Sequence, residues 1–354
     1  MKIAILSDIH ANYCALQAVL QKLDWISQET GEGFAIRFLG DIVGYGPVLD
    51  AVECLDWLFN APNMNWVPGN HDEWILSPNG GVRFEAKVSL LSQRLFFERP
   101  ENKEIWAWFQ NSVQPFLNVT NNSFLEEDQD GFRLVYSHAS VVEGQERGAY
   151  LYPWQTPLIL SNIRGYEVEK NVGSKKLIFF FGHTHFPMLA QLVKDKIKFR
   201  SIKYGVPIDL GNFTSVINPG SVGQSRDGDN RASFATIDTE VNTVTYYRVD
   251  YNKSSIVDRL NSEKIINSTD RPNRPSNHPL TLDERKILLS KLGLEESNES
   301  LEKIKTAYVH LIQYIETGDG GDSTSNYLKV YAVPEFDLQS VDTEFHQPSN
   351  ENVE

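Results

Sequence analysis

Five short polar clusters carry five of the chain's eight histidines: Asp8-Ile9-His10, Gly40-Asp41, Gly69-Asn70-His71-Asp72, Ser137-His138 and Gly182-His183-Thr184-His185. Taken singly, an Asp-x-His or a Gly-Asp is an ordinary turn. Taken together, the clusters are a repeated device, because each closes a short apolar run. Imidazole and carboxylate ligands without thiolate suit borderline first-row divalent ions better than calcium. Alternation along an extended segment would point Asp8 and His10 to one side, and likewise His183 and His185. A carboxylate shared between two ions would hold them ~3.5–4 Å apart, acidify a bridging water and clamp phosphoryl oxygens for in-line attack. Phosphate esters need such help because their uncatalysed hydrolysis is extremely slow.

The elements that must position these groups are legible as hydrophobic pattern. The runs Ile3 to Leu6, Phe34 to Leu39, Trp66-Val67, Phe132 to Tyr136 and Leu177 to Phe181 read as buried strands bounded by polar loops. Ala15 to Ile26 and Asp50 to Phe59 carry helical spacing between the first three, which predicts parallel pairing. From about Met188, closely spaced strands with polar turns predict a more antiparallel half: Met188 to Val193, Ile197 to Lys203, Ser215 to Asn218, Ala232 to Asp238 and Val244 to Asp250. Trp74 to Asp130 reads as a helical insertion beside the site, covering the sheet or selecting substrate. Asn12 reads as the cap of the first helix, and Asn218 to Gly223 as a turn closing the sheet edge.

As a set, the clusters resemble the signature of the calcineurin-like metallophosphoesterase superfamily over roughly residues 1–250. The resemblance implies an α/β fold: a four-layer sandwich of two mixed β-sheets flanked by helices, with a C-terminal helical extension. It implies that Asp8, His10 and His185 ligate one metal and Asn70, His138 and His183 the other, with Asp41 bridging. His71 would stay outside the metal shell as the catalytic residue, contacting phosphate and protonating the leaving oxygen. Two divalent ions are implied, manganese foremost, with iron, zinc or nickel as alternatives.

Gly40 to Pro47 and Asn218 to Gln224 are similar to the small prokaryotic phosphoesterase branch, some members of which are labelled diadenosine tetraphosphatase-like or protein-phosphatase-like. Eukaryotic-type protein phosphatases carry Gly-Asp-x-x-Asp-Arg-Gly at the second cluster; here Gly44 and Tyr45 replace the second Asp and the Arg. A bidentate phosphate clamp is thereby lost, and so is the usual partner of the His71 equivalent. Phosphoprotein is a poor substrate on this reading. The expected reaction is hydrolysis of a small-molecule or nucleotide phosphodiester or phosphomonoester by a metal-bridging hydroxide. Two alternatives stand beside it: a nuclease acting on short nucleic acids, and a catalytically silent scaffold of the same fold.

The net charge of -14 argues against an extensive nucleic-acid surface. Cys14 and Cys54 form no metal-binding or disulfide pattern. No signal-peptide core or membrane-length apolar stretch is seen, so a cytoplasmic protein without membrane contact is expected. Residues 251–316 read as a linker, centred on Arg271 to Asn277, followed by a helix pair. A capping box at Thr281 and Glu284 opens the pair, and a homo-oligomer through these helices is an expectation. The acidic tail, residues 317–354, reads as mobile and remote from every cluster.

Overall fold

The computed structural model describes residues 1–61, 64–77, 82–117, 124–129, 131–141, 150–170, 175–264 and 279–318. The first half alternates strand and helix, as the pattern predicts: β1 (Lys2–Leu6), α1 (Tyr13–Thr30), β2 (Ala35–Phe38), α2 (Val48–Asn60), β3 (Asn65–Trp66). Then follow α3 (Asn70–Trp74), α4 (Phe84–Phe97), α5 (Lys103–Leu117), β4 (Phe124–Gln129), β5 (Phe132–Ser137), α6 (Thr156–Lys170) and β6 (Lys176–Phe181). Six more strands complete the sheets: β7 (Pro187–Val193), β8 (Lys196–Phe199), β9 (Ile208–Asp209), β10 (Ser215–Pro219), β11 (Ala232–Asp238) and β12 (Thr243–Val249). The chain ends its described part with α7 (Lys253–Glu263), α8 (Leu282–Lys291) and α9 (Asn298–Thr317).

Two six-stranded mixed sheets form, ordered β3-β2-β1-β11-β12-β9 and β4-β5-β6-β10-β7-β8. Strand alternation explains why they stack. In β1, Ile3 and Ile5 face the second sheet, while Ala4 and Leu6 face the helical layer of α1, α2 and α5. In β6, Ile178 and Phe180 enter the inter-sheet core, while Phe179 and Phe181 pack against α6. A strand buried on both faces must be apolar throughout, which is why these runs show no polar alternation. Both sheets are mixed, with helices outside them.

The parallel pairs β1–β2, β2–β3, β5–β6 and β6–β10 aim their carboxyl ends at one edge. Sites in open α/β sheets form there because the strand-end loops converge. The segment read as a helical insertion carries α4 and α5, but its end is β4, an edge strand antiparallel to β5. Its half-buried Glu127 carboxylate lies opposite Arg37, a tertiary pairing that helical periodicity could not foretell.

The C-terminal helices pack within the chain. Ile304, Tyr308, Leu311 and Ile315 form the apolar stripe of α9 and bury against Val88 of α4 and Ile256 and Leu260 of α7. Burying each such side chain is worth about 1.5–3 kcal/mol. The Thr281 and Glu284 capping box is present at the start of α8. Glu263 of α7 reaches the N-terminus of α2, where its Oε1 accepts a hydrogen bond from Val48 N at 2.8 Å. Pro47, the N-cap residue there, offers no side-chain cap of its own. The linker around Arg271 to Asn277 and the tail beyond Gly318 lie outside the described residues, and α7 occupies much of the stretch before that linker.

Candidate metal centre

Each cluster sits just past a strand end. Asp8 and His10 follow β1, Asp41 follows β2, Asn70 and His71 open α3 beyond β3, His138 follows β5, and His183 and His185 follow β6. The local backbone is not extended, contrary to the alternation read from sequence. Asp8, His10, Asp41, His183 and His185 all have positive φ, between 49° and 64°. Left-handed turns, each costing roughly 1–3 kcal/mol, swing these side chains inward. Backbone bonds from Asp8 N to Gly40 O, His10 N to Asp41 O and Gly182 N to His138 O hold the turns.

Two groups of ligand atoms result, each within 4.8 Å: Asp8, His10, Asp41 and His185 in one, and Asp41, His138 and His183 in the other. Asp41 belongs to both. Its Oδ2 is 3.6 Å from His10 Nε2 and 3.3 Å from His138 Nε2, while its Oδ1 accepts from His71 N at 2.8 Å. Asn70 Oδ1 joins the second group, 3.0 Å from His138 Nε2. A β-carbon on Gly69 would stand 2.2 Å from Asp41 Oδ1, so no larger residue fits there.

The donor set suits cations. His10 Nδ1 donates to Val43 O at 3.1 Å, His138 Nδ1 to Leu39 O at 2.8 Å, and His185 Nδ1 to Gln224 O. A carbonyl only accepts, so each Nδ1 keeps a proton, and in the neutral ring each Nε2 turns a lone pair inward. His10 Nε2 and His185 Nε2 then face each other at 3.2 Å with no proton between them. Asp8 Oδ1, 3.1 Å from His185 Nε2, is buried without a hydrogen-bond donor. Converging buried acceptors repel unless a cation joins them.

Electrostatics follow the same logic. Burial is the main cause that holds His10 well below the usual imidazole range. Burial opposes charge on His138 too, yet the Asp41 carboxylate beside it prevails and raises it to about 9. Asp41 is held well below the usual carboxylate range: burial would raise it, but the neighbouring imidazoles, His138 first, outweigh that.

His71 belongs to neither group. Its ring lies 4.7 Å from that of Tyr45, 5.1 Å from Trp74 and 4.8 Å from His10. Its Nδ1 is buried without a hydrogen-bond partner. Burial lowers it to about 4, with Asp41 pulling the other way, so the ring is neutral near pH 7. Asp72 does not orient it. That carboxylate accepts from the backbone N–H groups of Asp41, Ile42 and Gly69 at 2.7, 3.0 and 2.9 Å, and so shapes the loop that carries Asp41.

Sequence reading missed the part played by the loop after β10. Asn218 Nδ2 donates to Gly182 O, Ser221 Oγ to Asp8 O, and Gly223 N also to Asp8 O. With Gln224 O behind His185, the loop is a brace for the ligand-bearing turns rather than a simple closure of the sheet. Asn12 caps α1 through Ala15 N, as expected, and also donates to Gly223 O. Arg226, next along the loop, was not singled out; its basic charge after the Asn-Pro-Gly-Ser run was the available signal.

The profile of the calcineurin-like phosphoesterase superfamily domain matches residues 1–242. The chain belongs to that superfamily. Its phosphoester chemistry and dependence on divalent metal follow from membership together with the buried Asp and His groups. Uncharacterized protein MJ0912 of Methanocaldococcus jannaschii is 28% identical over 266 residues, covering 74% of this chain and 93% of its own. Among solved structures, a metallophosphoesterase from Sphaerobacter thermophilus matches with a TM-score of 0.53 and 24% identity, over 90% of this chain and 99% of its own. Hypothetical protein PH1004 of Pyrococcus horikoshii OT3 matches with a TM-score of 0.52 and 18% identity, over 81% and 97%. The two solved structures share this fold. Among the described residues no helix is long and apolar enough to cross a membrane.

Proposed function

We propose that the chain is a dinuclear phosphoesterase acting on small phosphate esters, nucleotides included. Asp8, His10 and His185 would hold one divalent ion and Asn70, His138 and His183 the other, with Asp41 between them. The supporting observation is the position of Asp41 Oδ2, within 3.6 Å of a histidine from each group. Manganese is the proposed ion, with iron, zinc or nickel as alternatives; such ions, when bound, neutralise phosphoryl oxygens and acidify water.

The residues around them have separate tasks. Backbone carbonyls fix the inward tautomers of His10, His138 and His185. His71 acts on the leaving group. An orphaned lone pair is less costly than an orphaned buried N–H, so its unpartnered Nδ1 carries the lone pair and Nε2 carries the proton. An arriving phosphate dianion favours the doubly protonated ring, which then gives the Nε2 proton to the departing oxygen and returns to the neutral form.

A panel of generic phosphomonoesters and phosphodiesters, assayed in turn with manganese, nickel, zinc and magnesium, tests the reading. Turnover that depends on metal and disappears with a chelator is expected. A metal-loaded chain that hydrolyses none of the panel would sink it.

A further inference from the structure

We propose that Arg226 binds the substrate's phosphoryl group and biases the site toward phosphomonoesters. This rests on the hydrolytic reading above and adds a residue and a substrate class to it. Arg226 follows the bracing loop, two residues beyond Gln224, whose carbonyl backs His185. Its guanidinium carbon lies 6.0 Å from the centre of the Tyr45 ring, which itself lies 4.7 Å from His71 and 4.9 Å from His10. The side chain is half-buried, and its Nη2 donates to Gln224 Oε1 at 3.3 Å. No carboxylate pairs with it among the described residues, whereas Arg248 and Arg231 on the adjoining strand and loop are paired with Asp227 and Asp229.

An arginine so placed works against cation binding. A positive charge beside a cation site, paired with no carboxylate among the described residues, favours an arriving anion. Tyr45 stands where the protein-phosphatase motif has its arginine. Arg226 brings a guanidinium to the face of that tyrosine from a different loop, so the clamp missing from the motif is supplied from elsewhere in the fold.

The geometry of phosphate decides the substrate class. A monoester dianion has three non-bridging oxygens: two can face a pair of cations, and the third is left for a guanidinium. A diester has two, and a pair of cations would use both. Arg226 therefore gains a charge-assisted bond with a monoester that a diester cannot offer.

The test uses the full-length, metal-loaded chain and its Arg226→Ala and Arg226→Lys variants. Inorganic phosphate is titrated into each by calorimetry, and p-nitrophenyl phosphate and bis(p-nitrophenyl) phosphate are compared in steady-state assays. Metal content and melting temperature are measured alongside. Arg226→Ala is expected to weaken phosphate binding about 10–100-fold, as loss of a charged hydrogen bond does, with metal content kept. Its loss in kcat/KM on the monoester should exceed that on the diester at least about tenfold, and Arg226→Lys should recover part of it. Unchanged phosphate affinity, or equal losses on both esters, overturns the proposal. A wild-type chain that binds phosphate but turns over neither ester fails the hydrolytic reading instead, and phosphate affinity still decides the role of Arg226.

Discussion

Gly44 packs against the imidazole of His71 so closely that a β-carbon there would stand 2.3 Å from Nδ1. The backbone at Gly44 has φ of 86°, which side-chain-bearing residues rarely adopt. The protein-phosphatase motif places an aspartate at this point, where it would partner the histidine. Here the space for that carboxylate is filled by the ring itself, and His71 is held by Gly44, Tyr45 and Trp74 instead. Gly44→Ala should displace the ring and lower kcat at least about tenfold while metal content stays unchanged. His71→Ala should cost about 10²–10⁴-fold, the usual worth of a general acid, also without metal loss. Steady-state rates with metal analysis check both, and metal lost in step with activity would place His71 among the ligands.

Asp41 is the residue common to both ligand groups. Asp41→Asn removes half of its bridging capacity and the charge that would offset two cations. Bound metal should fall below two equivalents, and turnover should drop about a thousandfold, in keeping with the several kcal/mol a metal clamp supplies. Two retained ions with a near-normal rate would reject the bridge.

Glu263 gives the chain a pH-dependent joint between α7 and α2. Burial raises its carboxyl from 4.5 to about 8. Between those values the folded state holds a proton that the unfolded chain has released. Stability therefore falls as pH rises from about 4.5 to about 8, by on the order of a few kcal/mol, and this contribution is flat outside that window. Glu263→Gln keeps an oxygen for Val48 N and removes the titration. Urea unfolding at several pH values should show the variant losing less stability across the window; parallel curves would disprove the assignment.

The end of α9 touches the loop beyond Arg226. Gly228 N donates to Gly318 O at 3.0 Å, and Asn230 Nδ2 donates to Glu316 O. Tyr314 also meets Tyr45 edge-on, 6.0 Å between ring centres. Gly318, the last described residue, thus meets the loop that follows Arg226. A chain ended after Ile315 should bind inorganic phosphate several-fold more weakly with its metal content intact. Affinity equal to that of the full chain would show that the loop stands without this support.

The ligand candidates were legible because a buried metal site demands particular side chains at particular places. An aspartate or histidine just past a buried strand has few other uses, and Asp8, Asp41, His138 and His183 all stand there. The strands were legible because burial on both faces leaves unbroken apolar runs. By contrast, β4 was hidden: Glu126, Glu127 and Asp128 look like a polar turn until Arg37, Arg133 and Lys175 are seen beside them. The extended geometry assigned to Asp8-x-His10 and His183-x-His185 was wrong, since residue types do not announce a positive φ outside glycine.

Sequence alone determined the chemistry on offer: which residues could hold cations, in what order, and that strand ends would carry them. Only the tertiary structure decided which partners those residues meet. Hydrogen bonds from three imidazoles to distant carbonyls, the fit of His71 against Gly44 and the approach of Arg226 to Tyr45 join positions far apart in the chain. Such contacts depend on how the two sheets and the C-terminal helices pack, and local pattern carries no record of that.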